Sequence, residues 1–450
     1  MNKSLSVKQL ILASLLVALG VIQTKEPSRV GQQTRLVLDL SGPGATTPKV
    51  LFGKTKAPTD EPRFKNWVTA LGQKQQFIVG QELKTRYFQD SSFINMSYDI
   101  NQIWIQTTFN AENIISAQAH MHGLYPPSTN INTLTDWQQK NAVPPLDNVL
   151  NDQWTQWQQE LGNLALINGF NTFPINVMGA EDDIILNLGE DNCPTFKKAI
   201  NDNQNTLTNN IQTNFKDFIT NKLNVWSGLT LDGTSALQFC QYVKWADLHN
   251  VAMTFDHTAD DITQCDNMNN MMYQFYIDTD TKQNFIASNT MLKQIHDQIK
   301  SLLGQIPYKE TYFYKQATLK SEGAVLADEK YRNNADEKPS YFVMTAKDIN
   351  VRLIMSGLMG KVKADSSNSL LLQATSHPAS LLVVELTTDK TGKLVVEAQF
   401  NDADIQLGGC TVTGPCDAAT FLTFLEQQIA LVPDVLKACA LPTTPAEILQ

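Results

Sequence analysis

The stretch Arg35 to Pro48, RLVLDLSGPGATTP, constrains the fold more than any other. Leu36, Val37, Leu38 and Leu40 make an apolar run of strand length, and Gly42, Pro43 and Gly44 stop it at once. This pattern predicts a buried strand over 35–41. Its turn should lie at the carboxyl edge of a sheet, where open α/β sheets place their ligands. The turn has the place of a binding loop without the chemistry. From Leu36 to Pro48 there is no Arg, Lys, His or Cys, and the one acid, Asp39, sits inside the strand. A loop that grips an anion needs cationic side chains or a run of backbone N–H donors. Pro43 removes one donor from any nest between Gly42 and Ala45.

Downstream, strand and helix alternate. Leu71 to Asp90 predicts a helix with Phe77, Ile78, Leu83 and Tyr87 as its apolar face. Ile103, Trp104 and Ile105 predict a strand, and Asn113 to Leu124 a second helix closed by Pro126 and Pro127. From Thr195 to about Ile299 helical spacing dominates, as in Phe196/Ile200, Phe239/Val243 and Met291/Ile295/Ile299. Strands return at 341–345, 370–373, 381–388 and 394–400, the last two joined as a hairpin by Asp389 to Lys393. A helix is predicted at 348–359 and another at 421–429. The expected fold class is α/β, a central mixed sheet flanked by helices with an inserted, mainly helical domain. The expected segments are 1–23 (hydrophobic anchor or signal), 24–165 (first part of the core), 166–335 (insertion), 336–440 (second part) and 441–450 (tail). At 450 residues the chain exceeds the size at which one core usually stops growing.

A net charge of −10 with only 35 Lys and Arg argues against a nucleic-acid partner. At the N-terminus Lys3 and Lys8 precede thirteen apolar or small residues, Leu10 to Ile22, with no acid before Glu26. This resembles a secretory signal peptide with a weak cleavage region. Read instead as a retained anchor, Ser4 to Ile22 reaches spanning length only if Lys8 snorkels. The six cysteines, Cys193, Cys240, Cys265, Cys410, Cys416 and Cys439, are an even set that fits disulfides outside the cytosol. Cys410 and Cys416 flank a short Gly/Pro loop and could be bridged. With no CxxC and six histidines in all, no structural zinc site is expected, and no cofactor. His120 and His122 stand two apart on a helix and do not share a face. His257 sits among acids in FDHTADD, which reads as a solvated helix start before it reads as a metal site. Asn95-Met96-Ser97 is a glycosylation sequon.

Three stretches together resemble the histidine acid phosphatases, the larger branch of the histidine phosphatase superfamily. GPGATTP, Gly42 to Pro48, stands where the family has RHGxRxP. TTFNAENIISAQAHMHGLYPP, Thr107 to Pro127, matches a pattern close to STxxxRTxxSAxxxxxGLYPP at Ser116, Ala117 and Gly123 to Pro127. TAKDINV, Thr345 to Val351, stands where the family has SAHDxTx. Order and spacing hold across residues 35–440. The resemblance implies an α/β domain with a helical insertion and disulfides Cys193–Cys439 and Cys410–Cys416. Cys240 would then be left to meet Cys265.

The family transfers a phosphoryl group to a histidine. Arginines hold the equatorial oxygens, a second histidine assists, and an aspartate protonates the leaving group. Such a transition state needs fixed cations, and the covalent route needs a nucleophile. Carried over, the first arginine falls on Gly42, the nucleophile on Pro43 and the second arginine on Thr46. The third arginine falls on Glu112 and the second histidine on Lys347. Only the aspartate persists, as Asp348. Shifting the register onto Leu40 and Ser41 recovers neither arginine nor histidine, and Arg35 precedes the strand.

The resemblance therefore implies a member without the family's activity. Glu112 and Lys347 are expected to form a salt bridge in the former phosphate pocket. Asp348 is expected to cap the helix that starts near Ile349. The expected role is that of an accessory or structural subunit of a membrane-associated complex. Its partners would be other protein subunits and, through residues 4–22, the lipid bilayer. The body would face an oxidising compartment, either the mitochondrial intermembrane space at the inner membrane or the secretory lumen and exterior. The alternatives are a secreted or luminal protein that binds a neutral ligand in the old cleft, and an enzyme with other chemistry around His257.

Overall fold

A computed structural model describes residues 32–52, 66–88, 93–127, 129, 133–142, 156, 159–180, 183–189, 192–282, 285–312, 339–360, 377–411 and 413–440. The predicted N-terminal segment, the strand at 370–373 and the tail lie outside these residues. Strand β1 (Gln33–Ser41) sits in the middle of an eight-stranded sheet. Parallel to it run β2 (Ile103–Thr107), β3 (Asn176–Val177) and β4 (Tyr341–Thr345) on one side. On the other side β5 (Leu381–Thr388), β6 (Leu394–Phe400), β7 (Ala403–Asp404) and β8 (Cys416–Asp417) pair antiparallel. The order is β3-β2-β4-β1-β5-β6-β7, with β8 against β6. The expected mixed sheet is present. Val177 pairs with Thr107, so part of the span expected for the insertion belongs to the sheet.

The apolar run of β1 is continuous because both its faces are covered. Val37 packs with Leu83 of α1 (Ala70–Tyr87) and with Met121 and Leu124 of α2 (Ala111–Leu124). The insertion contributes α3 (Pro194–Asn214), α4 (Gly233–Leu248) and α5 (Ala259–Lys282), which enclose Ile211, Leu223, Phe239, Val243 and Met268. Under the other face of the sheet lie α6 (Asn289–Leu302), α7 (Asp348–Met359) and α8 (Ala418–Leu431). There Leu36, Leu38 and Leu40 join Ile295, Ile354, Leu358 and Phe421. Each such side chain, fully buried, contributes about 1.5–3 kcal/mol relative to exposure.

Helix α1 departs from its predicted face. Ile78 is exposed, and the buried stripe is Gly72, Gln76, Gly80, Leu83 and Tyr87. A glutamine lies inward because it has two partners there, as described below. All three disulfides form as the resemblance implies. Cys193–Cys439 joins the start of α3 to the C-terminal segment, Cys240–Cys265 joins α4 to α5, and Cys410–Cys416 closes the Gly/Pro loop.

Candidate functional site

Strands β1, β2 and β4 are parallel, so the turns after Ser41, Thr107 and Thr345 meet at one edge. Ala346 N donates to Ser41 O (3.0 Å) and Thr108 N to Thr345 O (3.3 Å), which fastens the three turns together. This is the edge that the Arg35–Pro48 stretch predicts.

The Gly42–Ala45 loop is fully engaged by its own protein. Gly42 N donates to Ser380 O (2.8 Å), Gly44 N to Ser116 Oγ (3.1 Å) and Ala45 N to Gln75 Oε1 (3.0 Å). Pro43 has no N–H. No backbone donor from 42 to 45 is left to face a ligand, and a nest needs several. Gly42 O accepts from Gln76 Nε2 (2.6 Å), and Pro43 O accepts from Ala379 N (2.7 Å). Gly44 must be glycine, since a Cβ there would lie 2.2 Å from Gly72 O. At Gly42 a Cβ would come within 2.8 Å of Ser380 Oγ and 3.3 Å of Asp348 Oδ1, so the start of any longer side chain is occupied.

Glu112 is the second residue of α2, and Lys347 is the N-cap residue of α7. The expected salt bridge between them is not formed. The Glu112 carboxylate, only 8% exposed, accepts from Asn66 Nδ2 at 2.5 Å. Asn66 reaches it because its backbone is left-handed (φ 59°), a conformation asparagine tolerates, beside the Thr46–Val68 bridge. Half-buried Lys347 lies outside ion-pair distance of Glu112 and makes its interaction elsewhere.

Asp348 is also not a cap. Helix α7 begins on it, and the N-cap residue is Lys347, with no side-chain cap. Its Oδ1 accepts from Ser380 Oγ and its Oδ2 from Arg352 Nε at 3.2 Å. Arg352 is fully buried, with its guanidinium carbon 4.4 Å from the Tyr273 ring centroid and 5.4 Å from that of Phe400. An aspartate four residues before an arginine on an otherwise apolar helix is the sequence signal for this pair.

Sequence reasoning also missed a second buried pair. His120 Nε2 of α2 lies 2.8 Å from Asp39 Oδ2 of β1, both side chains fully buried, at an angle outside hydrogen-bonding geometry. His120 Nδ1 donates to Gln76 Oε1 (3.3 Å), and Gln76 in turn holds Gly42 O. The only advance sign was an acid inside an apolar strand. His122 instead lies tilted against Phe170, its ring centroid 4.2 Å away, and burial lowers its pKa.

The insertion touches the loop through His249 at the end of α4. Its Nδ1–H donates to Trp245 O (2.8 Å), and its Nε2 lies 2.9 Å from Thr69 Oγ1. Thr69 caps α1 through Gly72 N (3.1 Å), and its own N donates to Ala45 O (2.9 Å). His257 pairs with Asp247 at 2.8 Å. Among the described residues no group of three or more His, Cys, Asp or Glu is placed to hold a metal ion. Among them, too, no helix is long and apolar enough to cross a membrane.

The model of the histidine phosphatase superfamily (branch 2) matches residues 33–358, well over half of the chain. The chain belongs to this family. Its similarity to curated members is local. It is 37% identical to a lysosomal acid phosphatase of Xenopus laevis over 76 residues, 16% of this chain and 17% of that one. Against the lysosomal acid phosphatase of Homo sapiens it is 29% identical over 117 residues, 26% of this chain and 27% of the other. The alignments thus span well under a third of those relatives' length. The fold likeness is broader. The phytase of Klebsiella sp ASR1 superposes with a TM-score of 0.55 at 14% identity, covering 92% of this chain and 98% of that one. Hafnia alvei phytase in complex with myo-inositol hexakis sulphate gives 0.55 at 12% identity, covering 92% and 99%. At such identity the likeness concerns the fold alone.

Proposed function

We propose that this branch 2 protein is not a phosphatase and serves a structural or accessory role at a membrane. The loop carries the reading. Position 43 is a proline, and every backbone donor from Gly42 to Ala45 is spent inside the protein. On the family pattern Gly42, Thr46 and Glu112 stand where three arginines belong, and Pro43 and Lys347 where two histidines belong. Removing a single oxyanion donor from an enzyme costs about 10²–10³ in rate. Here nucleophile and cations are replaced together, and Glu112 would repel a phosphate dianion. Asp348 persists, but its oxygens serve Ser380 and Arg352.

A fold kept without its chemistry suits reuse of the folded surface by other protein subunits, with residues 4–22 as the tether to the bilayer. Three disulfides and the lysosomal relatives favour the secretory lumen over the mitochondrial intermembrane space. The test is turnover of a simple phosphomonoester by the purified full chain, at acid and at neutral pH, beside an active phytase. We expect release of phosphate no faster than in buffer. Catalytic release, or a trapped phosphorylated side chain, overturns the reading.

A further inference from the structure

We propose that Asp39, His120 and Gln76 form a proton-controlled latch on the site loop, closed in acid and opened as pH rises. Gly42 O, a carbonyl, can only accept, so the Gln76 atom 2.6 Å from it is Nε2. That orientation turns Gln76 Oε1 toward His120 Nδ1 at 3.3 Å. An amide oxygen also only accepts, so Nδ1 carries a hydrogen. On the other side of the ring, His120 Nε2 lies 2.8 Å from Asp39 Oδ2. Bare lone pairs do not face each other at that distance, so a second proton sits on Nε2 or on Oδ2. The two residues thus hold two protons, and in either arrangement their summed charge is zero.

Both side chains are fully buried. When one proton passes to solvent, the unit becomes a buried anion, and the proton that remains belongs on Nε2 beside the carboxylate. Nδ1 is then a bare acceptor opposite Gln76 Oε1. Parting the helices is not an easy relief, because their backbones touch. A Cβ on Gly80 of α1 would lie 2.2 Å from His120 O, and one on Gly123 of α2 would lie 2.2 Å from Phe77 O. The Gln76 amide turns instead, and Gly42 O loses its donor. The next holds on the loop come from the same two helices, through Gln75 to Ala45 N and Ser116 to Gly44 N. Release at Gly42 frees the start of the loop while α1 and α2 stay packed.

The ionisable groups on the surrounding elements are engaged elsewhere. On β4, burial and then Asp39 hold the Tyr341 hydroxyl well above its ordinary range, so it stays neutral. On β5, Glu385 accepts from Tyr87 Oη–H of α1 (3.0 Å) and from Thr34 Oγ1–H of β1 (3.4 Å). Arg86 of α1 turns to Gln399 and Asp402. On α2, Glu112 is held by Asn66 and His122 lies against Phe170. Across Gly42, Asp348 of α7 is held by Ser380 and Arg352. None of these contacts includes His120 or Gln76, so the latch answers to its own protons.

The test is NMR of the isotope-labelled full chain from about pH 5 to about pH 9, a span that brackets the titration of an ordinary histidine. We expect a hydrogen on His120 Nδ1 in acid. We also expect a one-proton step in which the His120 ring nitrogens, the Gln76 side-chain amide and the Gly42 carbonyl carbon move with a shared midpoint. Beyond the intrinsic rise with pH, exchange of the Gly44 and Ala45 amides should speed up about tenfold across the step. Gln76→Leu should keep the ring step and abolish the response of the loop, and Glu385→Gln should keep both. A bare Nδ1 in acid, no step within the range, or a ring step that leaves Gln76 and Gly42 in place overturns the proposal. A loop response that survives in Gln76→Leu overturns it as well.

Discussion

Two pairs of ionisable side chains flank the site loop, and they are built differently. Asp348 and Arg352 lie one helical turn apart on α7, joined by a hydrogen bond, with aromatic rings against the guanidinium. Asp39 and His120 come from a strand and a helix far apart in the chain and meet off the hydrogen-bonding line. In the first pair both Asp348 oxygens are engaged, one by Arg352 and one by Ser380. The second is close but poorly aligned, and it holds the loop only indirectly, through Gln76. A short distance between two ionisable groups is thus not a measure of what a pair contributes. Burying ions is costly, and hydrogen bonds decide whether the cost is offset.

Breaking the aligned pair should have the largest effect. Asp348→Ala leaves Arg352 charged and buried, and a loss of about 3–5 kcal/mol in urea unfolding is expected. A loss near zero would mean that Arg352 finds water instead.

Asp280 is fully buried with no cation within ion-pair distance. Its Oδ1 accepts from Ala287 N (2.8 Å), its Oδ2 has no partner, and burial pushes its pKa up to about 7. In the unfolded chain this carboxyl ionises near 3.8. Its contribution to stability is therefore full below that pH and is lost as pH rises to about 7, by about 4 kcal/mol in all. Asp280→Asn keeps an acceptor for Ala287 N. It should flatten that decline, giving a variant more stable than the parent at neutral pH and little different in acid. Parallel stability curves for the two proteins would refute it.

Smaller effects should follow at the loop. His249→Ala removes the contact between α4 and Thr69, and a cost of about 1 kcal/mol is expected. Exchange of the Ala45 amide should also speed up, as read by hydrogen exchange. The smallest net change is expected from the double replacement Asp39→Leu with His120→Leu. Exchanging a poorly aligned buried pair for apolar side chains is often neutral or stabilising. A loss of several kcal/mol would show that the pair's alignment is better than its geometry suggests.

Much of the architecture was legible because β1, β4 and β5 are buried on both faces and read as unbroken apolar runs. The site loop was legible too, in position and in poverty of charge. Its hydrogen-bond partners were not. Gln75, Gln76 and Ser116 stand on helices whose approach to Gly42–Ala45 no local pattern encodes. For the same reason the inward stripe of α1 was misread, since Gln76 is buried for the sake of Gly42 O and His120. The Glu112–Lys347 expectation failed because opposite charge at two positions says nothing of a third residue. Asn66, set in its left-handed turn, reaches the carboxylate first.

The loop after β1 has no backbone donor left to give an anion. Following the amide N–H signals of Gly42, Gly44 and Ala45 by NMR while inorganic phosphate is added tests it most directly. Slowly exchanging amides are expected, with signals that stay in place at every phosphate concentration. Saturable movement of these three signals together would contradict it.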